Sequence, residues 1–182
     1  MTERTPILIT GLKHSGKSTA ARKAAEVLNA DFLDMDEIIE KLHLNEEGIK
    51  LSARAIYRKG RDIFQKYESA AAEFLARRSG GFIAAAGGGV CDNDDACRRM
   101  KEFIWIYLEE KPELLFDRIK KGGIPAFLTS KDPYNEFINL CNMRSARYDE
   151  LCDIKIIAGG RSPAEIYSEI TKKILEDGNG WK

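Results

Sequence analysis

The sequence predicts an α/β domain, with a mainly parallel sheet covered by helices on both faces. Three observations predict it. Short apolar runs of strand length alternate with segments of helical periodicity, and strands separated by helices pair in parallel. A glycine-bearing loop stands between the first run and the first helix, an arrangement suited to holding phosphate at a helix N-terminus. With 182 residues the chain can build one core, and neither a repeat nor a low-complexity linker divides it, so a single domain over 1–182 is expected.

Residues 6–10, Pro-Ile-Leu-Ile-Thr, form the first apolar run and stop at Gly11, and from Gly16 onward the residues are good helix formers. A second strand over about 30–34 leads into a helical stretch from Met35 to His43, followed by a polar joint over 45–48. Ser52 can cap a helix reaching Lys59, and Gly60 marks a break. Over 61–78, Ile63, Phe64, Tyr67, Ala71, Phe74 and Leu75 recur at helical spacing, which predicts a long amphipathic helix ending near Ser79-Gly80-Gly81. Residues 82–86 read as a buried strand that runs into Gly87-Gly88-Gly89. Strands over 103–108 and 153–158 complete a set of five, with helices near 112–120 and 134–150 between them and an irregular stretch over 121–133. Pro163 in its first turn opens the last helix.

Lys plus Arg balance Asp plus Glu at 29 each, so the chain has no excess positive charge with which to hold nucleic acid. The N-terminal segment lacks the apolar run of a signal peptide or membrane span. These features predict a cytoplasmic protein with a small-molecule ligand and neither a nucleic-acid nor a membrane partner; a monomer is the expectation, though nothing in the sequence fixes the oligomeric state. Cys91, Cys97, Cys141 and Cys152 form no C-x-x-C pair, and His14 and His43 lie far from them, so packed free thiols are expected rather than a metal site.

The segment Gly11-Leu12-Lys13-His14-Ser15-Gly16-Lys17-Ser18-Thr19 matches G-x-x-x-x-G-K-[ST], in the strand-loop-helix setting that the motif requires. The glycines let backbone N–H groups turn inward around phosphates, and the helix N-terminus adds partial positive charge. Gly11, Ser15, Gly16, Lys17, Ser18 and Thr19 are therefore the candidates for binding ATP. Lys17 supplies a point charge to the β- and γ-phosphates, and the Ser18 hydroxyl suits Mg²⁺. Lys13 and His14 occupy variable positions and are expected to face solvent. A phosphate loop alone does not separate a kinase from a GTPase. The stretch Thr129-Ser130-Lys131-Asp132 does not supply the N-K-x-D by which a GTPase reads its base.

Further along, Asp34-Met35-Asp36 ends the second strand, Gly87-Gly88-Gly89 ends the third, and Arg144 precedes Tyr148 by four residues. These resemble the D-x-D, triple glycine and R-x-x-x-Y of the shikimate kinase family, and the resemblance spans nearly the whole chain. It implies the three-layer P-loop kinase fold, with a five-stranded parallel sheet, and ATP-dependent phosphorylation of the 3-hydroxyl of shikimate. By that resemblance Asp34 helps hold Mg²⁺ through water and Asp36 contacts the acceptor's hydroxyls, where a carboxylate can also take up the proton. The glycines bring backbone close to the acceptor. Arg144 grips the substrate carboxylate with its guanidinium fork, with Arg147 as a competing assignment. Gly160-Arg161-Ser162-Pro163 resembles the adenine-contacting turn, and Arg118 is expected near the nucleotide. The acceptor-binding helices would occupy about 35–78 and the lid about 120–133.

Two stretches depart from the family. Residues 60–68 match its G-E-x-x-F-R-x-x-E at Gly60, Phe64 and Glu68, but Gln65 stands where the family has arginine and Arg61 where it has glutamate. Residues four apart share a helix face, so Arg61 can return a cation to the acceptor site. In the lid, Ile124-Pro125-Ala126-Phe127-Leu128 replaces R-P-L-L and lacks its arginine, leaving Lys120, Lys121 or Lys131 as substitutes. Two other functions stay open. Gln65 and Ile124 favour a kinase of another small polyol or sugar acid, such as gluconate. A nucleotide-binding protein without turnover would have no need of Asp36.

Overall fold

A computed structural model describes residues 4–121, 128, 131–177 and 180–181, so Ile124 and most of the expected lid lie outside the described residues. The elements run in the order β1 (Ile7–Thr10), α1 (Lys17–Val27), β2 (Asp31–Asp34), α2 (Met35–Glu47), α3 (Ala53–Lys59), α4 (Arg61–Ala76) and β3 (Phe82–Ala85). A short 3-10 turn (Val90–Asp92), α5 (Asp94–Arg99), β4 (Ile104–Glu109), α6 (Pro112–Lys121), α7 (Pro133–Leu151), β5 (Ile154–Ile157) and α8 (Pro163–Asp177) follow.

The five strands form one sheet in the order β2-β3-β1-β4-β5, and every pairing is parallel. The chain leaves central β1 toward one edge and returns through β3, then crosses β1 to build the other edge. Such a reversal opens a crevice at the carboxyl ends of the central strands. Alternation along the strands divides the core. Ile7 and Ile9 pack with Ala20, Ala21, Ala24 and Ala25 of α1 and with Ile166, Ile170 and Ile174 of α8. Leu8, Trp105 and Tyr107 face the opposite layer, built from α2 and α4 to α7. The alanine face of α1 places that helix close against β1, and this carries the loop before it over the sheet's carboxyl edge.

Helices α2 and α3 are fastened by polar contacts. His43, 1% exposed, lies 3.0 Å from the Ile49 carbonyl through Nδ1 and 3.2 Å from Lys59 Nζ through Nε2, which ties α2 to the end of α3. The Glu40 carboxylate accepts from Ala53 N at 2.9 Å. Across the sheet, Tyr148 of α7 stacks on Tyr107 of β4 with centroids 4.9 Å apart, and Tyr107 Oη lies 2.9 Å from Ser145 Oγ.

Two elements differ from the sequence reading. Helix α2 continues four residues beyond His43 and ends at left-handed Gly48, whose N–H donates to Leu44 O. Helix α5 was absent from that reading because its six residues are too few to display a period, and it is set by Asn93, whose side chain caps Ala96 N at 3.1 Å. Among the described residues, no helix is long and apolar enough to cross a membrane.

Candidate active site

The loop from Gly11 to Gly16 joins β1 to α1, folded on itself by Ser15 N, which donates to Leu12 O at 3.1 Å. Gly16 precedes α1 in the left-handed region at φ 90°, and no side chain caps the helix. The first N–H groups of α1 are thus left for an external acceptor. Ser15 Oγ is buried with no hydrogen-bond partner among the described residues, an orphaned polar atom inside the loop. Burial lowers the pKa of Lys17, while Asp36 and Asp34 work in the opposite direction. An uncapped helix end, an unmatched hydroxyl and a desolvated ammonium suit a polyphosphate. Ser18 follows Lys17 in the first turn and is half-buried, and Thr19 is exposed.

Asp34 ends β2 and caps α2, its Oδ1 accepting from Asp36 N at 3.0 Å. This is the role that an aspartate at a helix start performs for its own backbone, and the other carboxylate oxygen remains for a hydrated cation. Asp36 stands one turn into the cleft. Crowding there raises its pKa by desolvation, and the Asp34 charge adds to the rise, while Lys17 offsets it. The side chain nevertheless stays open to solvent at the cleft mouth.

Beyond Asp36 lies a cleft of about 390 Å³, within the range of small-molecule sites. Gly87, Gly88 and Gly89 form its floor, where β3 turns into the 3-10 segment. A Cβ on Gly87 would meet Asp36 Oδ1 at 3.4 Å and Glu68 Oε1 at 3.6 Å. Glu68 is 2% exposed, and burial raises its pKa to about 7 against the opposing hydrogen bond from Asn93 Nδ2. The Gly87 carbonyl accepts from Tyr148 Oη at 3.4 Å.

Arg144 reaches the cleft one turn before Tyr148, and its fork is occupied. Nε and Nη2 donate to Asp92 Oδ2 at 3.1 and 2.8 Å, and Nη1 donates to Gly88 O at 3.4 Å. Arg61 stands 3.6 Å from the same Asp92 oxygen. Gln65 does not project a free amide either, since Nε2 donates to Asp92 O at 3.2 Å. Arg147 instead pairs with Asp94 on the surface, which leaves Arg144 as the arginine of this helix that lines the cleft.

Among the nucleotide-side candidates, Arg118 donates to His14 O at 2.9 Å and to Glu110 Oε2 at 2.8 Å, bracing the phosphate loop against α6. Arg161, in the turn between β5 and α8, donates to Ile157 O and Glu165 O and pairs with Glu169 of α8. Lys13, expected to face solvent, is half-buried and lines the cleft, because the loop presses against the glycine floor. His14 is exposed, as expected.

Sequence reasoning also missed Arg54, Arg58 and Asp92 as cleft residues. The first two carried a signal in their i, i+4 spacing, continued by Tyr57 and Arg61. Asp92 carried none, since its partner is 52 residues away.

A sequence profile of the shikimate kinase family matches residues 13–175. The shikimate kinase of Prochlorococcus marinus is 31% identical over 173 residues, which cover 93% of this chain and 87% of that protein. That of Persephonella marina is 34% identical over 171 residues, covering 92% and 98% respectively. The structure of the Acinetobacter baumannii shikimate kinase in complex with shikimate matches with a TM-score of 0.80 at 24% identity, covering 95% of this chain and 94% of that one. At that identity the likeness concerns the fold. The Aquifex aeolicus enzyme matches at 0.70 and 26%, covering 94% and 97%. The matched span 13–175 takes in every cleft-lining residue and the loop from Lys13 onward, and the chain belongs to the shikimate kinase family.

Proposed function

We propose that this chain transfers the γ-phosphoryl group of ATP to the 3-hydroxyl of shikimate, releasing ADP and shikimate 3-phosphate. The observation that carries the reading is the meeting of Lys17, at the head of an uncapped phosphate-loop helix, with Asp36 at the mouth of a cleft of about 390 Å³. Shikimate kinases match more than nine-tenths of the chain, and the Acinetobacter baumannii enzyme of like fold is seen in complex with shikimate.

Gly11, Ser15, Gly16 and the first turn of α1, including Thr19, bind the phosphates through backbone and hydroxyl donors. Lys17 neutralises charge on the β- and γ-oxygens. Mg²⁺ supplies further charge neutralisation when bound, and Ser18 directly and Asp34 through water are the residues to hold it. Asp36 orients the acceptor hydroxyl and takes its proton as the new O–P bond forms and the bond to the β-γ bridging oxygen breaks; its raised pKa suits a proton acceptor. Gly87, Gly88 and Gly89 let the acceptor lie against backbone, and Arg144 and Arg61 close the far wall. Arg118 steadies the loop, and the turn at Arg161 flanks the adenine. We place the enzyme in the cytoplasm as a single-domain monomer.

Incubation with Mg-ATP and shikimate should release ADP in a shikimate-dependent manner, and Lys17→Ala should abolish it. ATP consumption indifferent to shikimate would refute the proposal. A second reading, phosphorylation of another small sugar acid such as gluconate, is favoured by Gln65, whose amide is engaged by the Asp92 carbonyl instead of reaching an acceptor. A panel of hydroxy acids separates the two. ATP binding without turnover on any acceptor would point to a purely nucleotide-binding role.

A further inference from the structure

The cleft contains more cations than its own carboxylates answer. Arg144 and Arg61 both converge on Asp92, and Lys17 belongs to the phosphate loop. Three cations remain: Lys13, Arg54 and Arg58, all in the cleft wall. Among the described residues, neither Arg54 nor Arg58 makes a side-chain hydrogen bond or an ion pair. They are one helical turn apart on α3, so their side chains share a face, and Tyr57 between them faces the same cleft. Because α3 is fastened to α2 through His43 and Glu40, that face is held in place rather than hung on a loop.

Arg144 has little left with which to bind a second carboxylate. Its Nε–Nη2 edge is filled by Asp92 and its Nη1 points at the Gly88 carbonyl, so Asp92 sits where an acceptor's carboxylate would have to dock on that guanidinium. Gln65 adds no charge. Displacing Asp92 would leave a largely buried carboxylate without its partners, at a cost of several kcal/mol. The unpaired arginines of α3 carry no such cost. Lys13 stands near Arg54: burial and the Arg54 charge lower its pKa, while Asp36 works in the opposite direction.

We propose that the carboxylate of the acceptor is bound by Arg54 and Arg58 of α3, with Asp92 permanently occupying the fork of Arg144. The recognition of acid substrates is thereby moved across the cleft, and Arg54 and Arg58 become specificity-determining residues of this chain. The proposal rests on the reading of the protein as a kinase of shikimate.

The test measures steady-state kinetics with shikimate and with its carboxamide, a neutral acceptor of nearly the same shape, in wild type and in Arg54→Gln, Arg58→Gln and the double variant. Both arginines are exposed on the helix surface, and unchanged melting temperatures check that the variants fold. The double variant should raise the KM for shikimate on the order of a hundredfold, with kcat and the KM for ATP nearly unchanged. Its KM for the carboxamide should stay at the wild-type value, which a loss of general cleft structure would not allow. An unchanged KM for shikimate in the double variant, or an equal rise for acid and amide, would overturn the proposal while leaving the kinase reading intact. A wild-type protein with no shikimate-dependent turnover would remove both.

Discussion

Gly88 lies so close to Lys13 that a Cβ on the glycine would stand 2.8 Å from the Lys13 backbone nitrogen, with Leu12 C and Lys13 Cα at 3.3 Å. The glycine floor of the acceptor cleft and the phosphate loop are therefore in direct backbone contact, and backbone has no rotamer by which to step aside. Gly88→Ala should destabilise the fold by about 1–3 kcal/mol and weaken ATP binding, although Gly88 is outside the loop motif. Thermal melts and titration with a non-hydrolysable ATP analogue check this. Gly89→Ala, whose Cβ would first meet the end of the Arg144 side chain, should leave ATP binding near the wild-type value.

Glu68 gives stability a pH dependence of unusual sign. Its pKa is raised from 4.5 to about 7 on folding, so between these values the native state holds the extra proton and stability falls as pH rises. The penalty is absent below pH 4.5, fully present above about 7, and on the order of 3 kcal/mol. Glu68→Gln removes the titration and can still accept from Asn93. Denaturant melts should show the variant gaining on wild type between pH 5 and pH 8, and a gap independent of pH would contradict this account.

Arg118 couples α6 to the phosphate loop through Glu110 and the His14 carbonyl. Glu110 is 5% exposed but Arg118 is nearly half open to solvent, which reduces the value of the pair. Glu110→Gln should loosen the brace and weaken ATP affinity by roughly fivefold, about 1 kcal/mol, with little effect on acceptor binding. Separate titrations of the two ligands distinguish these effects.

Tyr148 should respond differently to two substitutions. Its hydrogen bond to Gly87 O is long at 3.4 Å, whereas its ring is wholly buried and stacked on Tyr107. Tyr148→Phe should cost at most about 1 kcal/mol. Tyr148→Ala should cost about 3–5 kcal/mol and displace Arg144, one turn earlier on the same helix. Melting curves and acceptor KM values report the two effects.

The α/β class, the strands and most helices were legible in the sequence because apolar period and glycine punctuation are local signals. The phosphate loop was legible for the same reason: nine consecutive residues carry the glycines, the lysine and the hydroxyls. Other features depend on residues far apart in the chain. Strand order places β1 between β3 and β4, and no local pattern states which strands are neighbours. Lys13 was read as solvent-facing because nothing near it in sequence reveals that Gly88 presses on its backbone. Arg144 was expected, by resemblance, to grip a substrate carboxylate, whereas its engagement by Asp92 is a contact between residues 52 apart that no local pattern announces. The sequence alone determined the class of fold and where a phosphate-binding motif stands, since a loop and the helix it opens are contiguous. Only the tertiary structure decided which charges around the acceptor are already paired and which remain free, because that balance is struck between side chains that the fold brings together.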